Sequence, residues 1–140
     1  DINKAIHYYS LAANQNDADS QFNLGNIYSE GEYIERDINK AIHYYSLAAN
    51  QNDAKAQLKI GKYYLQGDFI SKTINKAVYY LYLSAEQRNN EARFLLGVIY
   101  SSYKYVKRDI DKAIHYYKEA SSINHSQAKN NLAIIYKNGF

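Results

Sequence analysis

The sequence contains no cysteine, which removes disulfide cross-links and thiolate metal or nucleophile chemistry and leaves the redox compartment open. No stretch approaches the roughly 18 consecutive apolar residues of a membrane span, and nothing at the start has the pattern of a signal peptide. The expectation is a soluble segment, with the cytoplasm as its setting and any signal or anchor lying outside these 140 residues. A Gly-rich phosphate loop is also missing. The lack of Pro and Trp beside abundant Asn, Ile, Lys and Tyr fits coding by an AT-rich genome and says nothing about mechanism. One acceptor tripeptide, Asn124-His125-Ser126, would matter only in a secretory protein, and such tripeptides are common by chance.

What is present reads as a folded chain. Hydrophobic residues make up 46% and charged residues 22%, ordinary values, whereas the aromatic share of 15%, mostly Tyr, is high. The dominant feature is repetition. DINKAIHYYSLAANQNDA fills residues 1–18 and returns letter for letter at 37–54, with a looser copy opening at Asp109. Asp1, Asp37, Thr73 and Asp109 are spaced by 36 residues throughout. In the same register fall Ala5, Ala41, Ala77 and Ala113, then Tyr8, Tyr44, Tyr80 and Tyr116, and later Tyr28, Tyr64, Tyr100 and Tyr136. Four units, 1–36, 37–72, 73–108 and 109–140, form one array. The ends carry no polar capping unit of the kind such arrays need, so a fragment of a longer protein is expected.

Each unit reads as two helices. Asp1, Asp37, Thr73 and Asp109 are suited to N-cap a first helix, on which positions 2, 5, 6, 8, 9, 12 and 13 form one apolar stripe. A polar break follows, where Asn16, Asn52 and Asn124 tolerate the left-handed conformation and Arg88 stands in the remaining unit. Asp17, Asp53 and Asn89 can cap a second helix carrying Leu24, Gly25, Ile27 and Tyr28 and ending at Gly31, with Gly67 and Gly139 equivalent. The small residues Ala12, Ala13 and Gly25 would allow close approach of helix axes. Units that cannot bury an apolar face alone are expected to stack on their neighbours.

The Asp37/Lys40/Ala41 start, Tyr44/Tyr45, Ala48/Ala49, Leu24/Gly25/Tyr28 and the Gly31/Tyr33/Ile34 loop together resemble the Sel-one-like repeat (SLR), a relative of the tetratricopeptide repeat. The resemblance covers essentially the whole chain. Departures are Ala133 for the Gly of the Leu-Gly pair, Leu81 for an aromatic, and Tyr103 where the loop Gly belongs. It implies an all-α, right-handed α-α superhelical solenoid of antiparallel helix pairs. It also implies a scaffold or adaptor without chemistry of its own, with the Leu-Gly helices lining the concave groove.

On that geometry the groove candidates are Asp19, Phe22, Asn26 and Ser29, then Lys55, Leu58, Lys62 and Leu65, and Glu91, Phe94, Val98 and Ser101, followed by Gln127, Asn130, Ile134 and Lys137. Apolar anchors beside Lys55 and Lys62 would suit a protein or peptide presenting apolar and acidic side chains; the bland alternative is that these apolar residues pack between units. No catalytic, cofactor-binding or metal residue is expected. His7, His43 and His115 sit at matching positions on separate helices of 10–12 Å diameter, too far apart for one ion. Nucleic acid is the alternative partner, since helical repeats can read RNA. A net charge of only +3, with Asp19, Glu30 and Glu91 interrupting the face, weighs against a phosphate-binding stripe. A third reading is a structural spacer or dimerisation segment, self-associating through its ends.

Overall fold

The computed structural model describes residues 1–67, 73–102, 107–122 and 125–140, and consists of eight helices with no strand among them. These are α1 (Ile2–Asn14), α2 (Ala18–Glu30), α3 (Ile38–Asn50), α4 (Ala54–Gln66), α5 (Ile74–Glu86), α6 (Asn90–Ser101), α7 (Ile110–Ser121) and α8 (Ser126–Lys137). The two-helix unit expected from the 36-residue period is therefore what forms.

Local chemistry sets the helix ends. Carboxylates of Asp1, Asp37 and Asp109 accept first-turn amides of α1, α3 and α7, those of Asp17 and Asp53 cap α2 and α4, and the Asn89 side chain caps α6. Thr73 takes the same backbone conformation as Asp37 but makes no side-chain cap hydrogen bond to α5. The α8 cap was not anticipated: His125 Nδ1 accepts from the Ala128 amide at 3.3 Å. Between the helices Asn16 and Asn52 adopt φ of 66° and 67°, as their residue type suggests, and Arg88 adopts 64°. The turn is thus kept even where the side chain disfavours it. The positions of Asn124 and Tyr103 lie outside the described residues.

Each helix packs on its chain neighbours, most extensively α2 on α3, α4 on α5 and α6 on α7. Those pairs meet through the Leu-Gly motif. Gly25 receives the Tyr45 ring, Gly61 receives Leu81 and Gly97 receives Tyr117. Tyr45, Leu81 and Tyr117 are fully or almost fully buried, with Ala41, Ala77 and Ala113 beside them in the stripe. Leu81 is thus the aliphatic equivalent of the two Tyr knobs. Ala133, the departure from Gly in α8, is exposed and faces no such knob among the described residues.

A second, polar column runs through the stack. Gln21 and Gln57 are each 1% exposed. Gln21 Nε2 donates to the Ala13 carbonyl at 3.2 Å, and Gln51 Nε2 donates across the unit boundary to Gln21 Oε1 at 2.7 Å. One unit on, Gln57 Nε2 donates to the Ala49 carbonyl at 3.3 Å, while Gln57 Oε1 accepts from Gln87 Nε2 at 2.9 Å. Arg93 continues the column, its Nε reaching the Ala85 carbonyl at 3.3 Å and Glu119 at 3.5 Å. Buried amides cost little when both ends are paired, and the pairing here also fixes how one unit sits on the next.

Candidate functional site

The odd-numbered helices form one row and the even-numbered helices the other. Contacts along the even row join successive units directly: Lys62 Nζ of α4 pairs with Glu91 of α6 at 2.6 Å, and the Phe94 ring of α6 stacks on His125, the cap of α8, at 4.6 Å. The exposed Lys62–Glu91 pair contributes on the order of 0–1 kcal/mol, because water screens it and both side chains lose freedom.

The candidate groove residues divide by what they touch. Asp19, Lys55 and Glu91 are exposed, as are Gln127, Asn130, Ile134 and Lys137. Phe22 is half-buried with its ring 5.6 Å from that of Tyr45, and Phe94 holds the equivalent place 6.0 Å from Tyr117. Leu58 and Leu65 lie against the cluster formed by Leu81, Ala85, Leu96 and Ile99, while Val98 packs on the cluster around Tyr117.

Three polar candidates bind the buried knobs. Tyr45 Oη donates to Asn26 Oδ1 at 2.8 Å and lies 3.0 Å from Ser29 Oγ; Ser101 Oγ is 3.2 Å from Tyr117 Oη. Burial pushes the Tyr45 phenol up to about 12, against the opposing pull of the Ser29 hydrogen bond. Phe22, Leu58, Leu65, Phe94 and Val98 thus pack against neighbouring helices, while Ile134 and the exposed polar candidates face outward.

The odd row carries three of the four histidines. His7, His43 and His115 are exposed on α1, α3 and α7, each set edge-on to the following Tyr at 5.2–5.3 Å. His115 Nε2 also lies 3.7 Å from Glu119, one turn away on the same helix. Among the described residues no group of three or more His, Cys, Asp or Glu side chains is placed to hold a metal ion, and no helix is long and apolar enough to cross a membrane.

Comparison with known proteins agrees with this architecture. The family model of the Sel1 repeat matches residues 1–17, 18–53, 54–89 and 90–125. The last three of these matches begin at the even-numbered helices, the phase in which α2 with α3, α4 with α5 and α6 with α7 are the closely packed pairs. A Sel1 repeat protein from Oxalobacter formigenes superposes with a TM-score of 0.84 at 32% identity, over 97% of this chain and 56% of that one. The protective antigen c5321 of uropathogenic Escherichia coli, with an SLR fold, gives 0.88 at 26% identity, over 96% and 29%. Helicobacter pylori cysteine rich protein B shares the fold, with a TM-score of 0.69 at 22% identity and 93% of each chain covered. The chain therefore spans just over half and under a third of the lengths of the first two. A sequence search of curated proteins gives no significant match. Sel1 repeats are helical scaffolds that commonly serve as protein-interaction modules. With repeats matched from residue 1 to residue 125 and the solenoid geometry in place, this chain belongs to the Sel1 repeat family.

Proposed function

We propose that the chain is a non-catalytic scaffold that holds a protein or peptide partner in the concave groove lined by α2, α4, α6 and α8. One observation carries the reading. Residues 1–18 and 37–54 are identical, yet the segments that follow them, 19–36 and 55–72, keep only Gln21/Gln57, Gly25/Gly61, Tyr28/Tyr64, Gly31/Gly67 and Ile34/Ile70. Four of those five have structural duties: the Gln column, the knob site, a stacked ring and the left-handed cap. The second helix has thus changed at most of its positions, exposed and half-buried alike, while the first helix has not changed at all.

The changed positions include Asp19 to Lys55, Phe22 to Leu58, Asn26 to Lys62 and Ser29 to Leu65. A partner that meets Lys55 and Lys62 with acidic side chains, and the half-buried Phe22, Leu58 and Phe94 edges with apolar ones, fits this face. Competition for Lys62 by such an acid would release Glu91. The test is a photo-activated cross-linker placed singly at Lys55, at Glu91 and, on the opposite row, at His43, in the source cell extract. One discrete adduct shared by Lys55 and Glu91 and missing at His43 supports the groove; adducts formed only at His43 overturn it.

A further inference from the structure

A second surface lies on the opposite row, where the third unit departs from its siblings. Between α5 and α7, over the C-terminal end of α6, Asn75, Val78, Tyr79, Tyr82, Tyr100, Lys112 and Tyr116 line a cleft of about 410 Å3. Part of this framework recurs in every unit boundary. Tyr100 stacks on Tyr116 at 6.0 Å with Lys112 Nζ 5.0 Å above the Tyr100 ring. Tyr64, Tyr80 and Lys76 repeat the arrangement, as do Tyr28, Tyr44 and Lys40. A triad present three times is a packing device.

Tyr79 and Tyr82 are different. The equivalent residues are His43 and Ser46 in the second unit, His7 and Ser10 in the first and His115 and Lys118 in the fourth, so this unit alone carries a phenol at both positions. They stand three residues apart on one face of α5 and are 57% and 44% exposed. Neither is needed for the stack, since the identical first helices of the first two units do without them. Exposed aromatic rings at a concave site are the usual anchors of recognition.

The lining chemistry selects the occupant. Four phenols, the Asn75 amide and the Lys112 ammonium supply O–H and N–H donors, and none of the seven lining residues bears a carboxylate. Lys112 is additionally held by Asp109 at 3.6 Å, and Glu86 and Glu119 act on Tyr116 from outside the lining. A ligand rich in acceptors, poor in donors, and able to lay flat apolar rings on tyrosine meets all of this. We propose that the cleft receives a proline-rich segment of a partner protein in the polyproline II conformation, whose carbonyls face outward, whose prolines have no N–H, and whose rigidity lowers the entropic cost of binding. None of the 140 residues here is Pro, so the segment comes from elsewhere. The site stands apart from the groove of α2, α4, α6 and α8, and its failure leaves that reading untouched.

The test is titration of the folded chain with a fluorescein-labelled decaproline peptide, followed by anisotropy, beside the variant Tyr79→His/Tyr82→Ser. Because those side chains are the ones the sibling units carry, the variant should keep its helicity, which circular dichroism checks. A Gly-Ser peptide of equal length and a linear glucan oligosaccharide serve as competitors. Saturable decaproline binding, weakened about tenfold or more in the variant and unaffected by either competitor, is expected. No binding, equal binding by the variant, displacement by the glucan, or self-association of the chain that depends on Tyr79 and Tyr82 would overturn the assignment.

Discussion

The Tyr45 ring lies directly against Gly25, so close that a Cβ built on Gly25 would stand 2.5 Å from Cδ1 and 2.6 Å from Cε1. Tyr45 has no room to retreat, because its hydroxyl is held by Asn26 and Ser29. Gly25→Ala should therefore destabilise by up to about 2 kcal/mol, the overpacking cost of about 1–3 kcal/mol being offset by the roughly 1 kcal/mol that Ala gains in helix propensity. Gly97→Ala, against Tyr117, should behave alike. Gly61 faces the branched end of Leu81, which can rotate, so Gly61→Ala should cost less. Urea midpoints followed by far-UV circular dichroism would rank the three; equal losses at all three sites would refute the knob account.

The same burial makes the stack alkali-sensitive. In the unfolded chain Tyr45 ionises near 10, whereas in the fold burial pushes it up to about 12. A raised folded value means that the unfolded state loses the proton first as pH rises. The stabilising contribution is therefore complete below pH 10 and disappears as pH climbs through 12. Tyr116, lifted to about 12 by burial and by Tyr100, adds to the same window. Unfolding midpoints should be flat from pH 7 to about 9.5 and fall steeply above about 10, in parallel with the phenolate absorbance of the unfolding chain. Tyr45→Phe should flatten part of that fall while costing about 0.5–1.5 kcal/mol at neutral pH through loss of the Asn26 and Ser29 bonds.

Much of this architecture is legible in the letters, because a repeat states each rule several times. Helix caps, the Asn turns and the close approach at Gly25 all follow from residue type and register. The Gln column does not. Gln21, Gln51, Gln57 and Gln87 are polar residues that ordinarily lie on a surface, and only their recurrence every 36 residues hinted that they share a partner. The cap role of His125 was hidden because His is an uncommon cap and Asp or Asn fills the place elsewhere. For the candidate groove, helix angle marked a face to consider, but it could not show that Asn26, Ser29 and Ser101 would be engaged by buried phenols. Those contacts depend on a knob from the following helix, some 16 to 19 residues away in sequence.

Sibling units also tell which substitutions should strengthen the fold. Thr73 stands at φ −127° and ψ 93°, nearly the −131° and 94° of Asp37, yet gives α5 no side-chain cap hydrogen bond. Thr73→Asp installs the carboxylate that Asp37 and Asp109 use on Lys40 and Lys112 amides. A gain of about 0.5–1 kcal/mol is expected from the cap and from the helix dipole together. The gain should shrink below about pH 4 as the new carboxyl protonates. An unchanged midpoint at pH 7 would show that the cap geometry is not transferable.

Arg88 presents the complementary case, a strained residue kept by its surroundings. Its φ of 64° matches the 66° of Asn16 and the 67° of Asn52, and its amide donates to the Ala85 carbonyl at 2.9 Å as theirs donate to Ala13 and Ala49. Left-handed backbone costs a side chain such as Arg roughly 1–2 kcal/mol, a penalty that Asn largely escapes. Arg88→Asn should consequently raise stability by about 0.5–1 kcal/mol, and Arg88→Gly by less, because Gly gains more freedom in the unfolded chain. Arg88→Val should do the opposite, since a β-branched side chain tolerates positive φ worst. Midpoints falling in the order Asn, Gly, Arg, Val would tie the effect to backbone strain; a loss in Asn as large as that in Val would mean that the Arg88 side chain itself supports the turn.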